Sequence, residues 1–339
     1  MTLRVLHLVG SPVDDFHCAL SRLYATDCLA ATADPQRYEV HVAFVTPDRR
    51  WRFPDDLSDE SIAAAPSMDV AAAVGHLVDL DIDVAVPQMF CGPGMTTYRA
   101  LLDLLGIRYV GNAPEVMALT MDKARARAVV AAAGVDVPHG ELLGPGDRPT
   151  IATPAVVKPV DSDNSVGVGY VAAPTGYPDA LDRAFEHSDR VLVEEFVELG
   201  REVRCGIVVE GGELVCLPLE EYGLDPRSAP IRGYGDKLAS GDDGDLHLVA
   251  KEPTKAWIVD VEDPITESVW AMARRCHSAL GCRHYSLFDV RIDPGGRPWF
   301  LEAGLYCSFA RQSVICTMAA ATGVDTAELF RRSISAVVD

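Results

Sequence analysis

Lysine is scarce in this sequence, and positive charge is outnumbered by negative charge. Of the 339 residues, 30 are Lys or Arg and 50 are Asp or Glu, so the formal net charge is −20. Such a surface repels nucleic acid and anionic lipid, and we expect neither as a partner. A compact ammonium suits a point contact to phosphate, so each lysine is a candidate for that role. The lysines are Lys123, Lys158, Lys237, Lys251 and Lys255.

Several other signals are missing. The nine cysteines form no C-x-x-C pair, so a zinc site is not expected. Without a secretory signal, we expect reduced thiols in a cytoplasmic protein. The first apolar run is too short for a signal peptide or a membrane span, and no membrane is expected as a partner. The glycines at 92 and 94 do not fit G-x-G-x-x-G, which argues against a dinucleotide-binding dehydrogenase.

The order of helix and strand signals predicts three domains, because the chain is too long for one core. Residues 1–114 alternate strands and helices, which indicates an α/β domain with a parallel sheet. Residues 115–197 and 198–339 mix the two as α+β. Within them we predict one helix from Pro114 to Gly134 and loops over 51–66 and 135–154. The strands predicted for the first domain are Arg4–Val9, Glu39–Val45, Asp83–Pro87 and Ile107–Val110.

The segment from 286 to 304 gives the strongest single pattern. Gly295-Gly296 is a hairpin turn signal between alternating runs, and a turn centred there places Asp289 opposite Glu302. Opposed carboxylates repel, and Mg²⁺ held by two carboxylates and substrate phosphates would relieve this. The alternative is a surface salt-bridge cluster neutralised by Arg291. The other face is predicted to be core, formed by Phe288, Val290, Ile292, Trp299, Leu301 and Ala303.

Three further segments carry candidate ligand-binding groups. Lys158 leads into a small-residue loop over 161–169 that could cover phosphates, although an ordinary turn is the alternative. Glu194 and Glu195 end an apolar strand, so one of them faces inward and needs a donor such as an adenine amino group or an arginine. Lys237 lies in a glycine-containing loop that could close over a ligand, or it could be solvated.

Eight motifs in order resemble the ATP-grasp superfamily, most closely the D-alanine–D-alanine ligases. They are M-D-K (121–123), V-V-K-P (156–159), D-N-S-V-G (163–167), V-L-V-E-E-F-V (191–197), G-R-E (200–202), D-K (236–237), F-D-V (288–290) and F-L-E-A-G (300–304). The segments 106–127 and 319–323 are similar as well. The resemblance implies an ATP-grasp fold with ATP clamped between the last two domains. It also implies an ADP-forming carboxylate–amine ligase that works through an acyl phosphate.

The resemblance further implies a role for each matching residue. Lys123 and Lys158 contact the α- and β-phosphates, and Lys237 the γ-phosphate. Asp289 and Glu302 are implied as Mg²⁺ ligands, and Mn²⁺ is expected to substitute. The remaining nucleotide positions are the phosphate loop with Ser165, Val166 and Gly167, the adenine acceptor Glu194 with Glu195 beside it, the Val197 backbone along the base, and Glu202 at the ribose.

Positions implied for the amino-acid substrates depart from the family pattern. Gly304 stands where an Asn helps to hold a second Mg²⁺, and Leu287 stands where an arginine steadies the oxyanion. Met89 or a neighbour replaces a histidine, and Leu238 replaces a tyrosine. These changes predict a carboxylate donor or amine acceptor other than D-alanine twice, in specialised metabolism.

We therefore consider replacements for the lost groups. Arg291 or Arg311 could supply the missing cation at the catalytic centre beside Lys237, and Arg311 with Ser313 could hold an acceptor carboxylate. Asp14 or its neighbour could receive a substrate ammonium, or Asp14 could cap the following helix. A D-alanine–D-alanine ligase with an unusual pocket and a nucleotide-binding protein without ligase chemistry remain open. A homodimer is expected from the frequency of such assemblies.

Overall fold

The computed structural model describes residues 2–162, 165–228, 230–232, 239–240, 246–247 and 255–338. Lys237, Leu238 and Lys251 lie outside the described residues. The helices are α1 (Asp15–Ala31), α2 (Asp59–Ala64), α3 (Val70–Asp79), α4 (Gly92–Met95), α5 (Thr97–Leu104), α6 (Pro114–Met121), α7 (Lys123–Ala132), α8 (Tyr177–Phe185), α9 (Thr266–Leu280), α10 (Val314–Ala320) and α11 (Thr326–Val338).

The strands belong to three larger sheets and one short pair. They are β1 (Leu3–Gly10), β2 (Tyr38–Val45), β3 (Trp51–Arg52), β4 (Val84–Pro87), β5 (Gly140–Leu143), β6 (Ala155–Pro159), β7 (Gly169–Val171), β8 (Val191–Glu195), β9 (Arg201–Glu210), β10 (Glu213–Cys216), β11 (Glu220–Tyr222), β12 (Ala239–Ser240), β13 (Leu246–His247), β14 (Ala256–Ile258), β15 (Tyr285–Ile292) and β16 (Pro298–Ala303). The short pair is β12 with β13.

The first sheet has the order β3-β2-β1-β4, and β1 runs parallel to both β2 and β4. The predicted parallel sheet is thus confirmed, but the predicted strand Ile107–Val110 is wrong. Only Tyr109 forms a bridge, to Ala85. Gly111 then turns the chain with φ at 113°, and its N–H donates to His284 Nδ1 at 2.8 Å. The predicted loop over 51–66 contains β3 and α2.

The second sheet has the order β5-β8-β6-β7, and all its neighbours are antiparallel. Strand β5 lies where the sequence predicted only a loop, because its glycine and flanking prolines masked the strand signal. The pairing itself requires the glycine. A Cβ at Gly140 would lie 2.8 Å from the Glu194 Cγ and 2.9 Å from the Val193 oxygen. The strand Ala155–Pro159 and the strand ending in Glu194 and Glu195 form as predicted.

The predicted helix from Pro114 to Gly134 is broken at Asp122. Asp122 has extended backbone, ends α6 and caps α7, its carboxylate accepting from the Arg125 N–H at 2.9 Å. Lys123 is therefore the first residue of α7, and its N–H donates to the Val160 oxygen at 2.9 Å. The break brings a lysine against the end of β6. Both helices share a hydrophobic core with the third sheet, and the predicted domain boundaries stay a prediction.

The third sheet has the order β14-β11-β9-β15-β16, with β10 on β9. Its β15–β16 hairpin pairs Asp289 with Glu302 as predicted, but a β-bulge follows Asp289. Beyond the bulge Val290 pairs with Phe300 instead of Leu301, so the predicted core face is wrong at two positions. Phe300 is 2% exposed and enters the core, whereas Trp299 and Leu301 are partly exposed. The extra residue lies on β16 and reverses which side chains of β16 face the core between the bulge and the turn.

Two expectations concern features that span the whole chain. All nine cysteines, each inside the described residues, are free thiols. Within the described ranges, no helix combines the length and the apolar character needed to cross a membrane.

Candidate functional site

A cleft of about 750 Å³, its open mouth included, lies between the second and third sheets. Pro138, Val156, Val168, Phe196 and Leu301 give it apolar surface. Ten residues singled out in the sequence line it. They are Lys123, Lys158, Ser165, Glu194, Glu195, Val197, Glu202, Asp289, Arg291 and Glu302.

The predicted phosphate loop borders this cleft. Ser165 lines it with φ at 62°, and the Ser162 hydroxyl donates to the Val166 oxygen at 2.9 Å. Gly167 has φ at 72°, and a Cβ there would lie 2.7 Å from both His187 and Pro159. Val166 and Gly167 thus shape the loop, while Ser165 faces the cleft.

Two buried lysines place positive charge in the cleft. The Lys123 and Lys158 side chains are 6% and 9% exposed. Lys123 donates to the Ser162 carbonyl and lies 3.8 Å from Glu302 Oε2. Lys158 Nζ lies 2.5 Å from Glu194 Oε2. A buried ammonium requires anionic or polar partners, and phosphate oxygens would serve.

Glu194 and Glu195 lie on opposite faces of β8, as successive residues of a strand do. The Glu194 side chain is 4% exposed and ion-paired with Lys158 and with Arg127, whose Nε lies 3.1 Å away. The Glu195 side chain is 58% exposed, 3.6 Å from His139. The arginine considered as a donor for the buried carboxylate is therefore present, and the adenine contact stays a prediction.

Arg291 serves Glu202 rather than the metal-binding pair. The two are cross-strand neighbours on β15 and β9. Arg291 Nη2 donates to Glu202 Oε2 at 2.5 Å, and Nη1 donates to the Val197 carbonyl at 3.2 Å. The alternative in which Arg291 neutralises Asp289 and Glu302 is therefore wrong. Arg291 Nε is buried without a hydrogen-bond partner in the described part of the chain, which leaves a donor at the cleft wall.

Two arginines that the sequence did not single out hold Asp289. Arg204, its cross-strand neighbour on β9, donates to both carboxylate oxygens. Arg232 Nη2 donates to Asp289 Oδ2 at 3.2 Å, and its Nε lies 2.9 Å from Glu202 Oε1. Burial works to lower the pKa of Arg204, but the charge of Asp289, the neighbouring Tyr222 and the hydrogen bond to Asp289 together raise that pKa above its usual value. Pairing between β9 and β15 joins residues far apart in sequence, so no local pattern indicated Arg204.

The residues present fit a nucleotide with one divalent cation. Among the described residues no group of three or more His, Cys, Asp or Glu could hold a metal, so Asp289 and Glu302 would need phosphate oxygens to complete the shell. This is how Mg²⁺ is usually held with a nucleotide. Lys123 and Lys158 would neutralise the remaining phosphate charge. ATP bound there supplies a transferable phosphoryl group that activates a carboxylate.

The residues predicted to bind substrate lie outside this cleft. Asp14 caps α1, accepting from the His17 N–H at 2.7 Å, which confirms the capping alternative. Arg311 Nη1 lies 2.5 Å from Asp27 Oδ1, and its side chain is 55% exposed. Ser313 precedes α10, and its hydroxyl is buried without a hydrogen-bond partner within the described residues. The substrate-binding roles stay predictions.

The altered positions differ in their surroundings. Leu287 is buried beside Gly206 on β9. A Cβ at Gly304 would meet no atom within 4 Å, so this position has open space. Met89 is 1% exposed in the core of the first sheet. It therefore does not take the place of a ligand-binding histidine. Of its neighbours, Phe90 is the next residue along the chain.

Comparison with known proteins places the chain in a family. The family model described as D-ala D-ala ligase C-terminus matches residues 148–335, more than half of the chain. The chain belongs to this family. It is an ADP-forming ATP-grasp ligase, and members of the D-alanine–D-alanine ligase family use ATP and a divalent cation.

Relatives support the D-alanine–D-alanine ligase family along most of the chain. The D-alanine–D-alanine ligase of Mycolicibacterium vanbaalenii is 28% identical, covering 93% of this chain and 94% of the relative. The VanG D-Ala:D-Ser ligase of Enterococcus faecalis has a TM-score of 0.78 at 20% identity, covering 99% of both chains. The ATP complex of the Bacillus anthracis D-alanine–D-alanine ligase has a TM-score of 0.72 at 19% identity, covering 98% of this chain and 97% of that one. These two likenesses establish the ATP-grasp fold.

Proposed function

We propose that the chain is an ATP- and Mg²⁺-dependent ligase that joins D-alanine to a second D-amino acid, D-alanine in the first instance. The cross-strand pair Asp289 and Glu302 carries the proposal, because it faces the same cleft as two buried lysines. The comparisons favour this alternative over a different substrate pair in specialised metabolism.

Side chains in the cleft account for phosphate binding, cation binding and exclusion of water. Lys123 and Lys158 place positive charge where phosphates would lie, and Asp289 with Glu302 supplies oxygen ligands for the cation. Preorganised charge of this kind stabilises a transferring phosphoryl group without reorganisation. The apolar residues Phe196 and Leu301 restrict water in the cleft.

The altered positions support a second candidate. Leu287 brings no charge, and Gly304 brings no ligating atom, so a nucleotide-binding protein without ligase chemistry is the competing function. Such a protein would bind ATP with Mg²⁺ yet release no phosphate with any pair of amino acids.

Phosphate release distinguishes the candidates. Purified protein is incubated with ATP, Mg²⁺ and D-alanine, and the dipeptide is measured by mass spectrometry. L-alanine is the matched control, and D-serine and larger D-amino acids are tested beside D-alanine. We expect release with D-alanine and none with L-alanine. Dependence on a different pair would contradict the D-alanine proposal, and no release with any pair would favour the binding protein.

The proposal also includes the identity of the cation and the oligomeric state. We take Mg²⁺ as the working cation because the ligand set is all oxygen, and we expect Mn²⁺ to support turnover as well. We also propose a homodimer, on the frequency of such assemblies alone. Activity with each metal after chelation tests the first point, and light scattering of the full chain tests the second.

A further inference from the structure

The charges around Asp289 form one row across the third sheet. Arg204 on β9, Asp289 on β15 and Glu302 on β16 are successive cross-strand neighbours. Arg232 reaches the same carboxylate from the segment 230–232. The exposed fractions of the Arg204, Arg232 and Asp289 side chains are 18%, 10% and 13%. Solvent therefore screens these charges weakly.

Both oxygens of Asp289 are engaged. Arg204 Nε donates to Oδ1, and Arg204 Nη2 and Arg232 Nη2 each donate to Oδ2 at 3.2 Å. A divalent cation that coordinates Asp289 therefore competes with these guanidinium contacts for the carboxylate oxygens. Among the described residues, Asp289 is the only ion-pair partner of Arg204. A displaced Arg204 would be a buried cation without a counter-ion, which is strongly unfavourable.

An anion that arrives with the cation removes this penalty. A guanidinium forms paired hydrogen bonds with the oxygens of a phosphoryl group or a carboxylate. The Arg232 guanidinium stacks over an aromatic ring, its carbon lying 4.0 Å from the centre of the Tyr222 ring. Arg232 lines the cleft in which the nucleotide is proposed to bind, and Arg204 contacts Asp289, which lines the same cleft.

We propose that Arg204 and Arg232 exchange Asp289 for the anionic oxygens of the ligand when a divalent cation binds Asp289, so that cation and anion bind cooperatively. This proposal depends on the proposed function only because both concern the same cleft. Cooperativity of this kind is a coupling free energy and must be reciprocal. It predicts weak binding of the cation alone.

Removing Arg204 should change the two affinities in opposite directions. In Arg204→Gln, the cation no longer competes with a guanidinium, so Mn²⁺ alone should bind about tenfold more tightly, near 1.4 kcal/mol. Anion binding with the metal chelated should weaken about tenfold. A residue that merely stabilises the fold would weaken both. Isothermal titration of the full chain with Mn²⁺, and with ADP or D-alanine in chelator, gives the affinities.

Arg201→Gln is the matched control. Arg201 lies on the same strand and pairs with Glu221 and Asp263, away from the cleft. Its loss should leave the affinities for Mn²⁺, ADP and D-alanine unchanged. Arg232→Gln should repeat the directions seen for Arg204→Gln, and it covers the case in which Arg204→Gln fails to fold.

Wild-type protein gives a test that needs no variant. Saturating inorganic phosphate or D-alanine should raise the Mn²⁺ affinity at least about tenfold, and the arm that succeeds identifies the anion as phosphoryl or carboxylate. No increase in either arm overturns the proposal. An Arg204→Gln variant that folds but binds Mn²⁺ alone no more tightly also overturns it. Because these readouts are binding constants, cooperative binding without phosphate release would count against the ligase and not against the exchange.

Discussion

The predicted nucleotide end of the molecule can be compared with its predicted acceptor end. At the nucleotide end, Lys123, Lys158, Asp289 and Glu302 line one cleft, and their ion pairs are largely shielded from solvent. At the acceptor end, Arg311 forms a half-exposed pair with Asp27, and Asp14 caps a helix. Shielded charges are costly unless paired, so they mark a site more reliably than exposed ones. Burial of a charged side chain is therefore a better indicator of function than the presence of the charge alone.

The largest effect should follow loss of Asp289. Asp289→Asn removes a predicted metal ligand, and we expect kcat/KM to fall about a thousandfold, or about 4 kcal/mol of transition-state stabilisation. Steady-state phosphate release measures it. Asp136→Asn, which breaks the exposed pair with Arg297, should leave kcat/KM within a factor of about two. Equal losses in the two variants would remove the distinction between buried and exposed carboxylates.

A second test compares adjacent residues within the nucleotide end. Glu194→Gln leaves Lys158 buried without its counter-ion, so we expect the free energy of unfolding to fall by about 3 kcal/mol. Glu195→Gln changes an exposed neighbour and should cost less than about 1 kcal/mol. Urea unfolding of both variants gives the values. A larger loss at Glu195 would reverse the assignment of the inward-facing residue.

A third test uses pH and acts on β1 of the first sheet. Burial lowers the pKa of His7 to about 4, and His7 bonds to Gln88, whose amide donates to the Ser308 carbonyl at 2.6 Å. Below pH 6.5 the unfolded chain binds a proton that folded His7 excludes. Stability is therefore fully present above pH 6.5 and is lost down to about pH 4. Unfolding at pH 7 and 5 should differ by about 2 kcal/mol from this group.

The His7→Gln variant isolates the contribution of this side chain. It should flatten the pH dependence by the same amount, because no titrating group remains at that position. A slope identical to wild type would assign the acid sensitivity to other groups, such as His284, whose pKa is lowered to about 4 by burial and by the charge of Arg283.

The smallest effect is expected at Arg311. With Asp27 as its partner, Arg311→Ala should change stability by less than about 1 kcal/mol and leave the KM for ATP unaltered. The KM for the second amino acid decides its function. An unchanged value would leave Arg311 as a surface ion pair, and a rise of about tenfold would support the predicted contact to an acceptor carboxylate.

Local patterns predicted most of the fold and most of the polar residues that line the cleft. Alternation and a glycine turn were sufficient to pair Asp289 with Glu302, because a hairpin brings close neighbours in sequence together. The bulge, the break at Asp122 and the strand β5 escaped prediction: the hairpin alternation does not show an extra residue, the Asp122 cap lies inside a continuous helical pattern, and glycine and prolines masked β5. Arg204 and Arg232 escaped as well. They reach Asp289 across 85 and 57 residues of sequence, and no periodic pattern records such a pairing.

The bulge after Asp289 has a consequence for how this hairpin tolerates change. Pairing on the turn side of the bulge is offset by one residue from pairing at Asp289 and Glu302. The bulge therefore lies between the turn and the carboxylates and can take up a change in register. If the turn gains or loses one residue, the pairing near the turn can shift at the bulge while Asp289 and Glu302 stay opposite each other.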